Sequence, residues 1–542
     1  MCSLIVYYPM SDPPQAPRSI LSKKTSLDLD AVFQYTSSNK DYTTREVVTR
    51  HEYFDERTTP TMADNNFKRL FHPRSVTVIG VSHDLSKGAT AFLHALIKMG
   101  FSGPIYPVHP HLSEIMGLKT YTRVIDIPHP VDYAIIGVPA SSVPEVIKDC
   151  ADKGVRFAQI FTSGFHEVGT RQGAELQRKI VDVARGKVRI LGPNCMGVYY
   201  PKARFGFDAD HPVQAGNVSF ISQSGGLAIN FIERGASECI WINKLVSIGN
   251  ACDLKVTDFL ADFSTDPETR VVGIYLEGLR MGEERRLFNL IKQMAPIKPL
   301  VMWKAGHTEA GARAAMSHTG SMVGSFEMWK FIIRQTGGIL VNNMDEMVDV
   351  ISMYLRAPLP EGKSVGIVAF GGGTSVTTAD ACTSLGLLVP PLKEDVQDSI
   401  LKYVPEEGTF QSNPVDLTGW ILSPRISRDV NLLVGNDSRI DALIYIFDID
   451  FIVKRCQLLG LNTERLIKGH TKSMLDVKKG FRKPFLVILQ KTKDDLEVER
   501  VRLQIRTELN RIGVPNFPNI ERAAKALSKL DEYSRYLSRV KS

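Results

Sequence analysis

From Phe71 onward, apolar runs of five to eight residues alternate with amphipathic stretches of 10–15. SVTVIGVS (75–82) is a β-branched run ending beside a glycine, and GATAFLHALIKMGF (88–101) carries apolar residues at helical spacing. PIYPVHP (104–110), VDYAIIGVP (131–139), RFAQIFTSGF (156–165) and VRILGPN (188–194) read as further strands, with SVPEVIKDCADKGV (142–155) as a helix between two of them. A second series begins at GNVSFISQSGGLAINFIERG (216–235) and continues through WINKLVSIGN (241–250), TRVVGIYLEG (269–278) and KPLVMWKAG (298–306). A third begins at KSVGIVAFGGGTSVTTADAC (363–382), includes ALIYIFDID (442–450) and KPFLVILQKT (483–492), and ends on helical ERAAKALSKLDEYSRYL (521–537). Strands alternating with helices of this length predict parallel βαβ units, hence an α/β protein. PLPEGK (358–363) reads as a linker.

Ligands of parallel sheets sit at the carboxyl ends of the strands. The turns HDLSKG (83–88), VP (138–139), TSGFHE (162–167) and GPN (192–194) all fall there. Three strand-to-helix turns carry glycine: IGVS (79–82), SQSGG (222–226) and FGGGTS (370–375). Such turns expose backbone N–H groups at a helix start, where the dipole favours an anion. Three of them in one chain point to phosphate chemistry. A nicotinamide oxidoreductase is disfavoured, because IGVSHDLSKG is not G-x-G-x-x-G. There is no P-loop, and SQSGG has Ser222 where a nucleophile elbow needs glycine.

One segment departs from the alternation. Ala305–Ser325 reads AGHTEAGARAAMSHTGSMVGS, with few bulky side chains to anchor a packed helix. It reads as a segment built to move or to lie close against a ligand, with His318 at its centre. A neutral imidazole is a good nucleophile at physiological pH, and Gly, Ala and Ser permit hinge motion. Glu277 ends the apolar strand before YLEG turns, where a carboxylate can fix an imidazole tautomer.

The totals narrow the class further. The 542 residues suggest roughly three or four domains at about 150 residues each. A net charge of +7 suits anionic small ligands, and no long basic run with interleaved aromatics suggests nucleic acid. No apolar run reaches the ~18 residues of a membrane span. Seven scattered cysteines without CxxC pairs read as reduced thiols of a cytoplasmic protein, with no metal site. The first 61 residues, rich in Ser, Thr, Tyr and Asp, read as a disordered or misassigned extension before MADNNFKRLFHP at Met62.

The ordered set GPNCMG (192–197), SQSGGLA (222–228), SIGN (247–250) followed by Asp253 and Asp258, YLEG (275–278), SHTGSMVGS (317–325), GGGTS (371–375) and NPVDLTG (413–419) is specific. From Phe67 to the C-terminus the chain resembles the α chain of NDP-forming acyl-CoA synthetases, relatives of the succinyl-CoA synthetase α subunit. The resemblance implies a CoA-binding Rossmann-like domain (62–200) followed by two flavodoxin-like α/β domains. The first of these (201–357) would carry a phosphohistidine loop, and the second would span 363–542. It implies an acid-thiol ligase: acyl-CoA + phosphate + ADP ⇌ acid + CoA + ATP, through acyl phosphate and phosphohistidine.

Carried over by motif, His318 is the phosphorylated residue and Glu277 its supporting carboxylate. Ser224, Gly225, Gly226 and Asn194 hold phosphate. Gly80, Ser82, Lys87, Gly88, Val138, Pro139, Ser163, Gly164 and Glu167 form the CoA site. Two departures stand out: SHDLSKGA is poorer in glycine than the family's first turn, and VHPH replaces VNPK, placing His109 and His111 at the adenine end. No stretch matches the family's nucleotide-binding module. The resemblance therefore implies an ATP-grasp β subunit that holds ADP/ATP and Mg²⁺ in a hetero-oligomer. The competing reading is a CoA-binding scaffold or sensor without chemistry. The acid, the nucleotide base and the direction are not legible.

Overall fold

A computed structural model of the chain describes residues 66–85, 88–280, 282–319, 326–404 and 412–542, with no side chain described for 315–319. The extension 1–61, Lys87 and the side chain of His318 thus lie outside the described residues.

The predicted strands form three parallel sheets. The first contains β1 (Val76–Ile79), β2 (Ile105–Val108), β5 (Tyr133–Ile136), β6 (Phe157–Ile160) and β7 (Arg189–Leu191), in the order β2-β1-β5-β6-β7. A small hairpin, β3 (Glu114–Ile115) and β4 (Leu118–Lys119), interrupts it. The second is built from β8 (Gly197–Tyr199), β9 (Val218–Ser222), β10 (Ile242–Ser247), β11 (Val271–Leu276), β12 (Leu300–Lys304) and β13 (Ile339–Val341), in the order β13-β12-β11-β9-β10-β8. The third contains β14 (Val365–Ala369), β15 (Val415–Asp416), β16 (Ala442–Asp448), β17 (Phe485–Gln490) and β18 (Asn516–Phe517), in the order β15-β14-β16-β17-β18. β1, β5, β9 and β11 are buried along their whole length. Helices cover both faces of such strands, which explains their continuous apolar sequence.

In every sheet the opening strand lies between the second and third of its parallel series. Connections leave it in opposite directions, which opens a crevice at the carboxyl ends. In the first sheet that point lies between β1 and β5, in the second between β9 and β11, and in the third between β14 and β16.

Two of the elements that were not predicted bear on the site. β8 follows GPN within the 62–200 span, yet it pairs antiparallel with β10 at the edge of the second sheet. The segment read as too poor in anchors for a packed helix is helical over Glu309–Thr319 and lies against the turn His166–Val168. Alanine is the strongest helix former, so small residues suffice where a helix needs only one shallow contact face. No helix among the described residues is long and apolar enough to cross a membrane.

Candidate functional site

The first crevice is lined by backbone, because its glycines leave no room for side chains. Gly80 has φ +91°, and a Cβ there would lie 2.7 Å from the Gly137 carbonyl oxygen. A Cβ on Gly137 would sit 2.8 Å from that of Ala89, and one on Gly88 would enter the Phe161 ring at 2.1 Å. The ends of β1 and β5 and the start of helix Gly88–Met99 therefore meet at van der Waals contact. The Ser82 N–H donates to the Thr90 hydroxyl at 2.9 Å, which ties the turn back to that helix. Val138 accepts from the Thr162 hydroxyl at 2.7 Å, and Pro139 is exposed beside it. Ser163 is exposed, and Gly164 has φ +107°.

Glu167, predicted to touch CoA, is engaged inside its own turn. One carboxylate oxygen accepts from the N–H of Gly164 (2.6 Å) and Phe165 (3.1 Å), and the other from Asn250 at 2.5 Å. Burial alone would raise its pKa, but these hydrogen bonds outweigh burial and hold the carboxyl below its usual range. Its place is to shape the Ser163–Gly164 turn and to join it to the second sheet through Asn250.

The second crevice faces the first across these contacts. Asn194, in the left-handed region at φ +56°, donates its N–H to Thr162 at 3.0 Å. Asn250 N–H donates to the Pro193 carbonyl at 3.0 Å, and the Asn250 carbonyl accepts from the Arg280 guanidinium at 2.7 Å. Ser224 caps helix Gly225–Ser237, its hydroxyl accepting from Leu227 N–H at 3.3 Å. The N–H groups of Gly225 and Gly226 have no hydrogen-bond partner among the described residues, and a Cβ on Gly226 would meet nothing within 4 Å. That leaves an open face of backbone donors at a helix start, which suits an oxyanion.

Opposite, Glu277 is buried at the end of β11, with 6% of its surface exposed. Three groups set its position. Gln223 Oε1 accepts from the N–H of Glu277 (2.5 Å) and Gly278 (3.0 Å), while its Nε2 donates to the Gly278 carbonyl at 2.8 Å. The Tyr275 hydroxyl donates to Glu277 Oε1 at 3.2 Å. Lys304, at the end of neighbouring β12, donates to the Glu277 carbonyl at 2.8 Å. The sequence pointed to Glu277 but not to Gln223 or Lys304.

The third glycine turn is built in the same way. Helix Gly372–Ser384 starts after Gly371 at φ +89°, whose N–H donates to buried Asp416 at 2.7 Å. Asn413 bonds Ile367 N–H and the Val365 and Pro390 carbonyls, so the NPVDLTG segment holds β14 and its turn in place. His109, one of the two histidines expected at the adenine end, accepts the N–H groups of His111 and Leu112 and so caps its own turn.

Models of three families match in order: a CoA binding domain over residues 74–201, a succinyl-CoA ligase like flavodoxin domain over 215–354, and a ligase-CoA domain over 365–505. The α subunit of the ADP-forming acetate–CoA ligase I of Pyrococcus furiosus is 34% identical over 489 residues, which cover 88% of this chain and 99% of that one. The chain belongs to the family of ADP-forming acyl-CoA ligase α subunits. A second relative, the ADP-forming acetate–CoA ligase II of Archaeoglobus fulgidus, is 33% identical over 94% of this chain and 72% of its own length. Among solved structures, the dinucleotide forming acetyl-coenzyme A synthetase 1 of Candidatus Korarchaeum cryptofilum, in complex with phosphate and ADP, superposes with a TM-score of 0.75. It is 34% identical and covers 88% of this chain and 99% of that one.

Family membership fixes the order of the crevices along the chain. The residues matching the CoA binding domain contain β1 and β5, and those matching the flavodoxin domain contain β9 and β11. Gly137 is the CoA-side residue that sequence reading passed over. Its signal was the GVP that follows a strand, in which Val138 and Pro139 were noticed and the glycine was not.

Proposed function

We propose that this chain is the α subunit of an NDP-forming acyl-CoA synthetase that uses His318 as a phosphoryl carrier. CoA thioester lies along the first crevice, against Gly80, Ser82, Gly88, Val138, Pro139, Ser163 and Gly164, with Lys87 on its phosphates. Phosphate sits on the Gly225 and Gly226 N–H groups near Asn194 and attacks the thioester carbonyl. The C–S bond breaks, CoA thiolate leaves, and acyl phosphate remains. The His318 imidazole then attacks phosphorus, and the P–O bond to the acyl group breaks. The carboxylate departs as the free acid, and the phosphoryl group stays on the imidazole. Glu277 accepts a hydrogen bond from the other ring nitrogen and stabilises the cationic ring. In the last step ADP takes the phosphoryl group and ATP forms.

The observation that carries this reading is the arrangement of the second crevice. A capped helix presents N–H groups without a partner among the described residues, Gln223 beside it holds the main chain of buried Glu277, and the helix bearing His318 packs on a turn of the CoA side. Nucleotide and Mg²⁺ are assigned to an ATP-grasp β subunit. The end-to-end match to a relative named as a subunit α supports that assignment. The cysteines among the described residues are unpaired, which fits a cytoplasmic setting.

Purified chain incubated with acetyl-CoA and radiolabelled phosphate should acquire an acid-labile, base-stable label, and His318→Asn should abolish it. Adding ADP to the chain alone should leave the label in place, and a nucleotide-binding subunit should discharge it as ATP. An equal label on wild type and His318→Asn would overturn the proposal. Running several acyl-CoAs in parallel identifies the acid.

A further inference from the structure

Lys304 is an unusual residue for its place. It ends β12 with 1% of its surface exposed. Its ammonium donates to the Glu277 carbonyl at 2.8 Å and to the Ala305 carbonyl at 2.5 Å, and it lies 5.7 Å from the centroid of the Trp329 ring. Desolvation lowers its pKa to about 8, against the pull of the Glu277 charge, which raises it. A buried ammonium is costly, and an apolar side chain of similar volume would cover β12 without that cost. Packing alone therefore gives no reason for a lysine.

The two carbonyls it binds do give one. The first belongs to the residue that carries the candidate carboxylate. The second belongs to the first residue of the segment that leads to His318. We infer that Lys304 is a positioning residue of phosphoryl transfer: it locks the Glu277 strand end and the root of the histidine segment in one register. This rests on the reading of His318 given above.

Among the described residues the groups around it are few. Glu277 and, through it, the Tyr275 hydroxyl face it from β11, and Trp329 faces it from helix Phe326–Thr336. The sign follows from these neighbours. Below a pH of about 8 the side chain is an ammonium and the lock is complete. As pH rises through that value the charge is lost, and Glu277 loses its nearby cation. Arginine cannot lose its charge in this range.

The test uses the full chain as wild type, Lys304→Arg and Lys304→Met, with His318→Asn as the control for the site of labelling. Tryptophan fluorescence reports Lys304 ionisation directly through Trp329. Wild type should show a step near pH 8, and both Lys304 variants should lack it. The rate of histidine labelling from acyl-CoA and phosphate should fall in wild type across the same step and stay level in Lys304→Arg. Lys304→Met should label at least about tenfold more slowly at every pH.

A folded Lys304→Met that labels at the wild-type rate with unchanged limbs overturns the inference. Should Lys304→Met fail to fold, an alkaline limb in Lys304→Arg identical to wild type overturns it. Failure of the underlying reading looks different, because wild type and His318→Asn would then be labelled alike.

Discussion

Gln223 bonds three main-chain groups of the Glu277–Gly278 turn with one side chain. Gln223→Leu keeps most of the volume but leaves two N–H groups and a carbonyl without partners, each costing about 1–3 kcal/mol where water cannot reach it. We expect a lower denaturation midpoint and a histidine-labelling rate reduced about tenfold or more, since a misplaced carboxylate no longer orients the ring. On the CoA side, Gly80→Ala forces a Cβ to within 2.7 Å of the Gly137 carbonyl at a φ of +91°. It should cost about 1–3 kcal/mol of strain and abolish CoA binding, as read by unfolding and by titration calorimetry. Single residues drew attention in the sequence where their type clashed with their surroundings. Glu277 and His318 are polar islands in apolar or small-residue runs, and Gly80 and Gly88 break a strand-to-helix pattern. Gln223, Lys304 and Gly137 were not legible, because each matters through a neighbouring strand, and nothing in the chain states that β9 lies beside β11 or β12 beside β11. Glu167 was named from its position alone, and the structure adds that one of its oxygens is engaged by its own turn and the other by Asn250.

On the proposed function, helix Gly225–Ser237 separates capping from anion binding. Ser224 serves the cap, so Ser224→Ala should lose about 1 kcal/mol of stability and keep much of its affinity for phosphate, which the glycine N–H groups supply. Gly226→Asp should do the opposite. A Cβ there meets nothing within 4 Å, so the variant should fold. Its carboxylate would stand on the donors that phosphate needs, and labelling should vanish while CoA titration stays unchanged. The long apolar strands of all three sheets were readable from hydrophobic runs alone. The short ones were not: β13, β15 and β18 span two or three residues each, too few to show a period. The helix Glu309–Thr319 was missed for another reason. Its alanines favour a helix without displaying an apolar face, so a search for large anchors cannot find it.

On the scale of the molecule, the last helix, Ile520–Lys541, binds two layers together. It packs on helix Met344–Arg356 of the second sheet and on helix Gly372–Ser384 of the third. Arg522 forks onto the buried carboxylate of Asp349 at 2.6 and 2.7 Å, and the Tyr533 hydroxyl donates to the Ala295 carbonyl at 2.7 Å. Arg522→Ala would leave Asp349 charged and unpaired, so it should destabilise the protein by about 3 kcal/mol in denaturant unfolding. Arg522→Met with Asp349→Leu should recover most of that loss. The sequence showed three α/β units in a row but not this fastening, because a terminal amphipathic helix does not announce which layer it will cover.

The antiparallel pairing of β8 with β10 bears on how the phosphoryl group travels. The chain leaves the CoA lobe and is immediately stitched into the rim of its neighbour, with Asn250 and Glu167 riveting the same seam. Two lobes sewn together so close to their crevices are fastened against gaping like jaws. On the proposed function, the journey of the imidazole to a nucleotide is then expected to come from unspooling its own short helix, with the walls on either side held still.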